Sequence, residues 1–276
     1  MTANQIRLER LSGAYWRASF AHPPINLIDP QTIVELEALV RLLESDPEVR
    51  VIVFDSTDPD FYLAHYDVLV DKAVSAAMKP GPTGLHAWPD VLVRLSQAPV
   101  VSIASIRGRA RGAGSEFVLA CDMRFGSRER CVLGQFEVGV GAVPGGGPMA
   151  RLSRLVGRGR ALEILLGADD FPGDLAERYG YINRAIPDQE LDSFVEAFAR
   201  RLAGFDKRAI AETKRFVDEP GRPALSEFEA GMKAYFKSAQ RPETRQRITR
   251  LVDAGLQQRS AVELNLGKYV EESSNG

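Results

Sequence analysis

Two glutamates, each next to a glycine-rich turn, are the residues of this chain best placed for acid–base chemistry. Glu116 closes segment 108–116, which contains three glycines, and Glu137 precedes the glycine- and proline-rich segment 139–148. Two carboxyl groups in one site repel each other's charged forms, so one of them tends to keep its proton and act as an acid. The sequence therefore predicts a paired-carboxylate site, provided that the fold brings the two turns together.

The first turn is predicted to join a buried strand to a helix. Residues 100–106 form a largely β-branched apolar run, which is typical of a strand buried on both faces. The glycines that follow allow a sharp turn, and we expect a helix to begin near Gly112. The first amide groups of a helix lack partners within it and favour an oxygen that becomes negative. A first-turn glutamate after such a turn is also common where no site exists, so this stretch alone leaves both interpretations open.

The second turn has the same organisation. A short apolar strand over residues 131–134 leads to Glu137, and Pro148 suits the first position of the next helix. Because a second carboxylate stands at the end of a second strand, the catalytic interpretation is favoured over a merely structural one.

The two segments together resemble those of the crotonase (enoyl-CoA hydratase/isomerase) superfamily. The family segment G-x-A-x-G-x-G-x-E is matched by Gly108, Ala110, Gly112, Gly114 and Glu116. Its G-Q-P-E stretch is matched at 134–137 with Phe136 in place of proline, and its P-G-x-G turn is matched at 144–147. Each motif is weak alone, but their order and spacing agree together, and the resemblance extends over roughly the first 240 residues.

This resemblance implies a fold and an assembly. We expect an α/β fold, a crotonase-like spiral of ββα units with a C-terminal helical lobe. The core with the active site would span residues 1–200, and the helical lobe and tail would span residues 201–276. Since the C-terminal helices of the family pack on a neighbouring subunit, a homotrimer or homohexamer is implied.

The resemblance also implies a set of site residues. Segment 62–67 aligns with the family loop F-x-A-G-A-D, so the backbone N–H groups of Tyr66 and Ala113 are expected to form an oxyanion hole. The residues expected to contact substrate are Ala64, His65, Asp67, Gly112 and Pro144.

Several side chains near this loop carry more than one interpretation. His65 and Tyr66 replace a glycine and an alanine of the family pattern, which predicts a narrower and more polar acyl pocket. His65 is either a third catalytic group or a packing and hydrogen-bonding residue. His86 and Trp88 either reach the substrate or pack where their loop rejoins the following helix.

The activity implied by the resemblance is hydration of a 2-enoyl-CoA thioester. Glu116 would activate water and Glu137 would deliver a proton to the α-carbon, with coenzyme A as the carrier of the substrate and with no further cofactor and no metal. The alternatives are a double-bond isomerase, a thioester or diketone hydrolase of the same fold, and a CoA-ester-binding relative without turnover.

The composition disfavours other classes of partner. The 276 residues carry 35 basic and 37 acidic side chains, a formal net charge of −2, which gives no electrostatic case for nucleic acid. The longest apolar runs are too short to span a bilayer, and no secretory signal is recognisable, so a soluble cytoplasmic protein is expected. Cys121 and Cys131 lie in apolar stretches and are predicted to be reduced core residues.

The remaining pattern predicts the supporting elements. A hairpin is expected over 6–10 and 15–20, followed by a helix that Asp29 caps, a strand over 49–54 and a helix over 90–96. Further helices are expected over 149–156, 158–166, 175–179, 191–203, 208–217 and 224–239.

Overall fold

The computed structural model describes residues 4–274 as two β-sheets surrounded by helices. The strands are β1 (Ile6–Arg10), β2 (Tyr15–Phe20), β3 (Val51–Ser56), β4 (Phe61–Leu63), β5 (Val101–Ile106), β6 (Arg109–Arg111), β7 (Met123–Ser127), β8 (Val132–Gly134), β9 (Asp170–Pro172) and β10 (Arg184–Ile186). The helices are α1 (Pro30–Ser45), α2 (Lys72–Ala76), α3 (Ala87–Gln97), α4 (Ala113–Ala120), α5 (Pro148–Leu155), α6 (Arg158–Gly167), α7 (Gly173–Tyr179), α8 (Asp188–Ala203), α9 (Lys207–Asp218), α10 (Leu225–Ala239), α11 (Pro242–Asp253), α12 (Ala261–Leu264) and α13 (Leu266–Ser274).

The larger sheet has the strand order β1-β2-β3-β5-β7-β10. β1 and β2 pair antiparallel, whereas every later pair in this sheet is parallel. All six residues of β5 are buried, as expected for a strand of a parallel sheet that is covered on both faces. The predicted α/β class is therefore confirmed.

The smaller sheet, of order β4-β6-β8-β9, positions the candidate site. β4, β6 and β8 are parallel neighbours, so their carboxyl ends meet at one edge. β4 leads to His65 and Tyr66, β6 leads into α4, and β8 leads to Glu137. Three segments that are distant in the chain thus arrive side by side.

Most elements predicted from the sequence are present. The hairpin occupies the predicted residues, and the Asp29 carboxylate accepts the Thr32 N–H at 2.8 Å to cap α1. Helix α3 begins at Ala87 rather than at Asp90, because the ring of His86 caps it by accepting the Trp88 N–H. Strands β4 and β6 and helices α11 to α13 were not predicted.

The C-terminal helices pack against the site. Their apolar side chains form a buried cluster with Phe136 and Val140, and its C-terminal members are Leu251, Leu256, Val262, Leu266 and Val270. The proposed boundary between core and lobe at residue 200 stays a prediction. Across residues 4–274, every helix is too short or too polar to cross a bilayer. Both cysteines are buried and free, as predicted, and burial raises the pKa of each thiol.

Candidate active site

A small, mostly apolar cavity of about 70 Å³ lies where the carboxyl edge of the smaller sheet meets α3, α4 and α10. Five of the residues predicted for the site line it together: His65, Tyr66, Ala113, Glu116 and Glu137. The two glutamates are only 3% and 9% exposed, so each carboxyl group is held in a largely water-excluded environment. The fold therefore brings the two glycine-rich turns together.

Glu116 receives hydrogen bonds on both carboxylate oxygens. Its Oε2 accepts the indole N–H of Trp88 at 2.7 Å, and its Oε1 accepts the backbone N–H of Gly146 at 2.7 Å. Burial raises the pKa of Glu116, while these donors act in the opposite direction by favouring the charged form. Glu116 is thus the carboxyl group of the pair that is equipped to remain ionised.

Glu137 has a different environment. Its Oε2 is buried and has no hydrogen-bond partner among the residues that the structure describes. Burial and the nearby charge of Glu116 raise the pKa of Glu137 to about 8. This raised pKa favours the protonated form of Glu137 at neutral pH, so the pair is suited to comprise one carboxylate and one carboxylic acid.

Tyr66 and Ala113 line the same cavity, and their backbone N–H groups have no acceptor in the described part of the chain. Tyr66 forms a parallel bridge with Ile28, in which the flanking His65 C=O and Asp67 N–H bond to Ile28. The N–H of Tyr66 therefore points away from Ile28. Ala113 is the first residue of α4, where an N–H has no intrahelical partner. That the two N–H groups donate to one oxygen atom stays a prediction.

Glycine is required at two positions beside the carboxyl groups. A Cβ at Gly146 would overlap the Glu116 carboxylate, and a Cβ at Gly112 would lie 2.8 Å from Glu137 Oε1. Gly112 also has φ of 50°, a left-handed backbone conformation that favours glycine. These two glycines let the backbone approach the carboxyl groups closely.

His65 is fully buried and has both ring nitrogens engaged. Its Nδ1–H donates to the C=O of Tyr66 at 2.8 Å, and its Nε2 lies 2.8 Å from Glu263 Oε1. Burial alone would lower the pKa of His65, but the Glu263 carboxylate outweighs it and the pKa is raised. Of the two interpretations of His65, these contacts support the hydrogen-bonding one.

The other aromatic residues of the cavity divide into different roles. Trp88 donates its indole N–H to Glu116, so it does more than pack where its loop rejoins α3. The Nε2–H of His86 donates to the C=O of Ser75 at 2.8 Å, and its other ring nitrogen caps α3. The hydroxyl of Tyr66 lies 2.7 Å from the Ser75 hydroxyl.

Four further predicted residues lie near the cavity without lining it. Ala64 packs in a separate apolar cluster, and Asp67 Oδ1 accepts from the Leu69 N–H at 2.8 Å. Gly112 and Pro144 belong to the two turns beside the cavity. Their contact with substrate stays a prediction.

Sequence reasoning did not find Tyr235 or Glu263. Tyr235 lines the cavity from α10, where the adjacent charges of Glu137 and Glu116 and, above all, burial raise its pKa. Glu263 reaches the site from α12, and no local pattern signals a partner that lies 198 residues earlier in the chain.

Comparison with known proteins gives consistent matches. A family model described as enoyl-CoA hydratase/isomerase matches residues 16–257. The chain is 30% identical over 197 residues to a crotonyl-CoA hydratase of Syntrophomonas wolfei, covering 71% of this chain and 74% of that protein. It is 29% identical over 196 residues to a short-chain-enoyl-CoA hydratase of Clostridium acetobutylicum, covering 70% and 73%.

A solved structure resembles nearly the whole chain. The crystal structure of a provisionally named enoyl-CoA hydratase from Streptomyces avermitilis superposes with a TM-score of 0.91 and 45% sequence identity, covering 98% of each chain. The crotonase-like fold expected from the sequence is therefore confirmed.

Proposed function

The chain belongs to the enoyl-CoA hydratase/isomerase family, and from that premise we propose that it adds water to the double bond of a 2-enoyl-CoA thioester. One observation carries this proposal: two buried carboxyl groups face one cavity, and only Glu116 has donors on both oxygens. Hydration needs a base for the water and an acid for the α-carbon. A pair that shares one proton supplies both.

The thioester oxygen would lie between the N–H groups of Tyr66 and Ala113. Attack on the β-carbon moves charge through the double bond onto this oxygen, which becomes enolate-like. Two fixed amide donors stabilise that charge more than the neutral ground state, and one such donor is worth about 3–4 kcal/mol in other enzymes.

In each turnover Glu116 takes up one proton and Glu137 releases one. Glu116 takes one proton from water as the oxygen of the water bonds to the β-carbon. The enolate collapses and its α-carbon takes the proton of Glu137. The proton now on Glu116 must return to Glu137 before the next turnover, and the roles exchange in the reverse dehydration.

The cavity also supports a preference for compact acyl groups. Its volume is about 70 Å³, and its walls include the aromatic side chains of Trp88, Phe136, Tyr235 and Phe236. Such a space suits a short apolar chain better than a long one. Coenzyme A would be the carrier, and no other cofactor takes part in the proposed steps.

We propose the homotrimer or homohexamer as the working assembly. Helix α9 buries none of its side chains, and Phe216 and Val217 on it are 60% and 74% exposed. An apolar patch of this kind suits a subunit contact. Light scattering of the purified protein would give the mass of the assembly.

The experiment follows the ultraviolet absorbance of the conjugated enoyl thioester. Crotonyl-CoA and decenoyl-CoA are offered to the wild type, to Glu116→Gln and to Glu137→Gln. We expect hydration of crotonyl-CoA by the wild type at the higher kcat/KM. Each variant should lose about 10²- to 10⁴-fold in kcat, as is usual for loss of a general acid or base.

Two outcomes would contradict the proposal. A wild type that binds the CoA esters but leaves the chromophore intact does not hydrate them. Full activity in either glutamine variant would show that one carboxyl group suffices, as in a double-bond isomerase.

A further inference from the structure

The geometry points to a positioning element of the oxyanion hole at the C-terminal end of the chain. We propose that segment 257–263 holds the two donor amides at a fixed separation through contacts on both sides of the cavity; this inference rests on the proposed function of the site.

The first contact reaches the residue before Tyr66. Glu263 Oε1 lies 2.8 Å from His65 Nε2, and both side chains are 0% exposed. The other nitrogen of the same ring donates to the C=O of Tyr66 at 2.8 Å. The orientation of the Tyr66 backbone is therefore tied to α12 through one imidazole ring.

The second contact reaches the residues after Tyr66. The side-chain amide of Gln257 accepts the Val68 N–H at 2.5 Å and donates to Asp67 Oδ1 at 2.7 Å. The Gln257 N–H in turn donates to Glu263 Oε1 at 2.6 Å. Segment 257–263 thus binds the oxyanion loop, residues 65–68, on both sides of the Tyr66 N–H.

The third contact reaches the opposite donor. Arg111, two residues before Ala113, is 1% exposed and donates through one guanidinium nitrogen to the C=O of Glu263 at 2.7 Å. Its remaining nitrogens donate to the two carboxylate oxygens of Asp170, each at 2.6 Å. One residue, Glu263, is therefore bonded to both donor segments, by its side chain to one and by its backbone to the other.

Apolar packing supports the same connection. The ring of His65 lies 5.4 Å, centroid to centroid, from the ring of Phe136, which belongs to one apolar cluster with Val262 of segment 257–263 and Val270 of α13. Residues 65 and 136 are two positions at which this chain departs from the family pattern. The side chains at both positions pack against segment 257–263.

Two charged groups act on the ring of His65. Glu263 of α12 contacts its ring directly, and the nearby guanidinium of Arg111 of β6, which pairs with Asp170 of β9, acts to lower the pKa of the ring. Removing the charge of Glu263 would leave two cations facing one carboxylate. The imidazole would then turn or lose its proton.

The test compares full-length variants that loosen the segment at different points. Glu263→Gln and Gln257→Ala disturb contacts with the oxyanion loop. Lys268→Ala is the matched control, because its side chain is 70% exposed, lies outside segment 257–263 and pairs with Glu272 of the same helix, α13. Each variant is measured for kcat and KM on crotonyl-CoA and for thermal stability.

A second readout does not depend on turnover. The chain has seven tyrosines, so ¹⁵N-tyrosine labelling gives a small set of amide signals, and Tyr66→Phe identifies the one of Tyr66. If the wild type hydrates nothing, the proposed function fails, and this amide signal alone still decides the positioning role.

We expect Glu263→Gln and Gln257→Ala to lower kcat by about tenfold, less than the loss of a whole oxyanion donor, with KM changed by no more than about twofold. Both should shift the Tyr66 amide signal, whereas Lys268→Ala should change neither kcat nor this signal. The role is overturned if the first two variants lower thermal stability but leave kcat and the Tyr66 signal unchanged. If Glu263→Gln does not fold, Gln257→Ala and His65→Gln decide by the same criteria.

Discussion

The surroundings of Glu116 and Glu137 differ although the two side chains face one cavity. Around Glu116, a glycine turn and an indole supply donors at 2.7 Å to each carboxylate oxygen. Around Glu137, the charge of Glu116 lies nearby, and one carboxyl oxygen has no partner within the described residues. The same residue type is thus prepared for opposite protonation states.

This difference shows which interactions assign the shared proton to one of the two carboxyl groups. Burial raises the pKa of both groups, so burial alone would not assign the single shared proton. Donors decide the assignment, because both oxygens of Glu116 accept hydrogen bonds whereas Oε2 of Glu137 accepts none among the described residues. Helix α3, which carries Trp88, and the turn at Gly146 therefore contribute to the assignment along with the carboxyl groups.

The largest effect expected from disturbing this difference comes from Gly146→Ala. The new Cβ would overlap the Glu116 carboxylate and displace it from both donors. We expect kcat on crotonyl-CoA to fall by about 100-fold, within the usual range for a lost general base. Gly159→Ala is the control, since nothing lies within 4 Å of its added Cβ. Equal losses in the two variants would argue against the donor role of the Gly146 turn.

A smaller effect is expected from Trp88→Phe. The change removes the donor on Glu116 Oε2, so the pKa of Glu116 rises and the shared proton is less strongly confined to Glu137. We expect kcat at neutral pH to fall by about tenfold, equivalent to about 1.4 kcal/mol, and the acidic limb of the pH profile to move to higher pH.

Trp16→Phe provides the matched control for this prediction. The indole nitrogen of Trp16 is buried but has no acceptor among residues 4–274, so its removal breaks no hydrogen bond. An unshifted acidic limb in Trp88→Phe, or the same shift in Trp16→Phe, would contradict the role of Trp88.

The smallest effect concerns stability rather than rate. The pKa of Glu137 is raised from 4.5 to about 8, so its contribution to folding is full below pH 4.5 and is lost as the pH rises through about 8. Glutamine does not ionise, and Glu137→Gln should therefore exceed the wild type in stability above pH 8. We expect a gain of about 1 kcal/mol, which raises Tm by about 2–4 °C.

The control for this measurement is Glu177→Gln at an exposed position of α7. The prediction requires that the Tm difference between Glu137→Gln and the wild type grow with pH, whereas the control difference stays constant. A difference that is independent of pH would show that Glu137 ionises as readily in the folded state as in the unfolded one.

The part of the site that could be predicted from the sequence is local. Three elements follow one another closely in the chain: strand β5, the turn at Gly112 and the helix with Glu116. Their hydrophobic pattern and their sequence motif therefore coincide. The same holds for Asp29 and helix α1, where the capping residue lies three positions from its partner. Such short-range chemistry is visible in the residue order.

The rest depends on contacts between distant residues. Strands β4 and β6 have three residues each, too few for a periodic signal, and exist because they pair with each other. The donor from Trp88 to Glu116 crosses 28 positions, and the contact of His65 with Glu263 crosses 198. Nothing in the sequence around these residues specifies their partners.

Infrared difference spectroscopy of the carboxyl groups tests the division between Glu116 and Glu137 most directly. Spectra taken at neutral pH and well above pH 8 distinguish the C=O stretch of a protonated carboxyl group from that of a carboxylate. The account predicts a protonated band in the wild type that titrates near pH 8, titrates at lower pH in Glu116→Gln because the charge of Glu116 is gone, and disappears in Glu137→Gln. A band that disappears only in Glu116→Gln, or no protonated band at neutral pH, would contradict it.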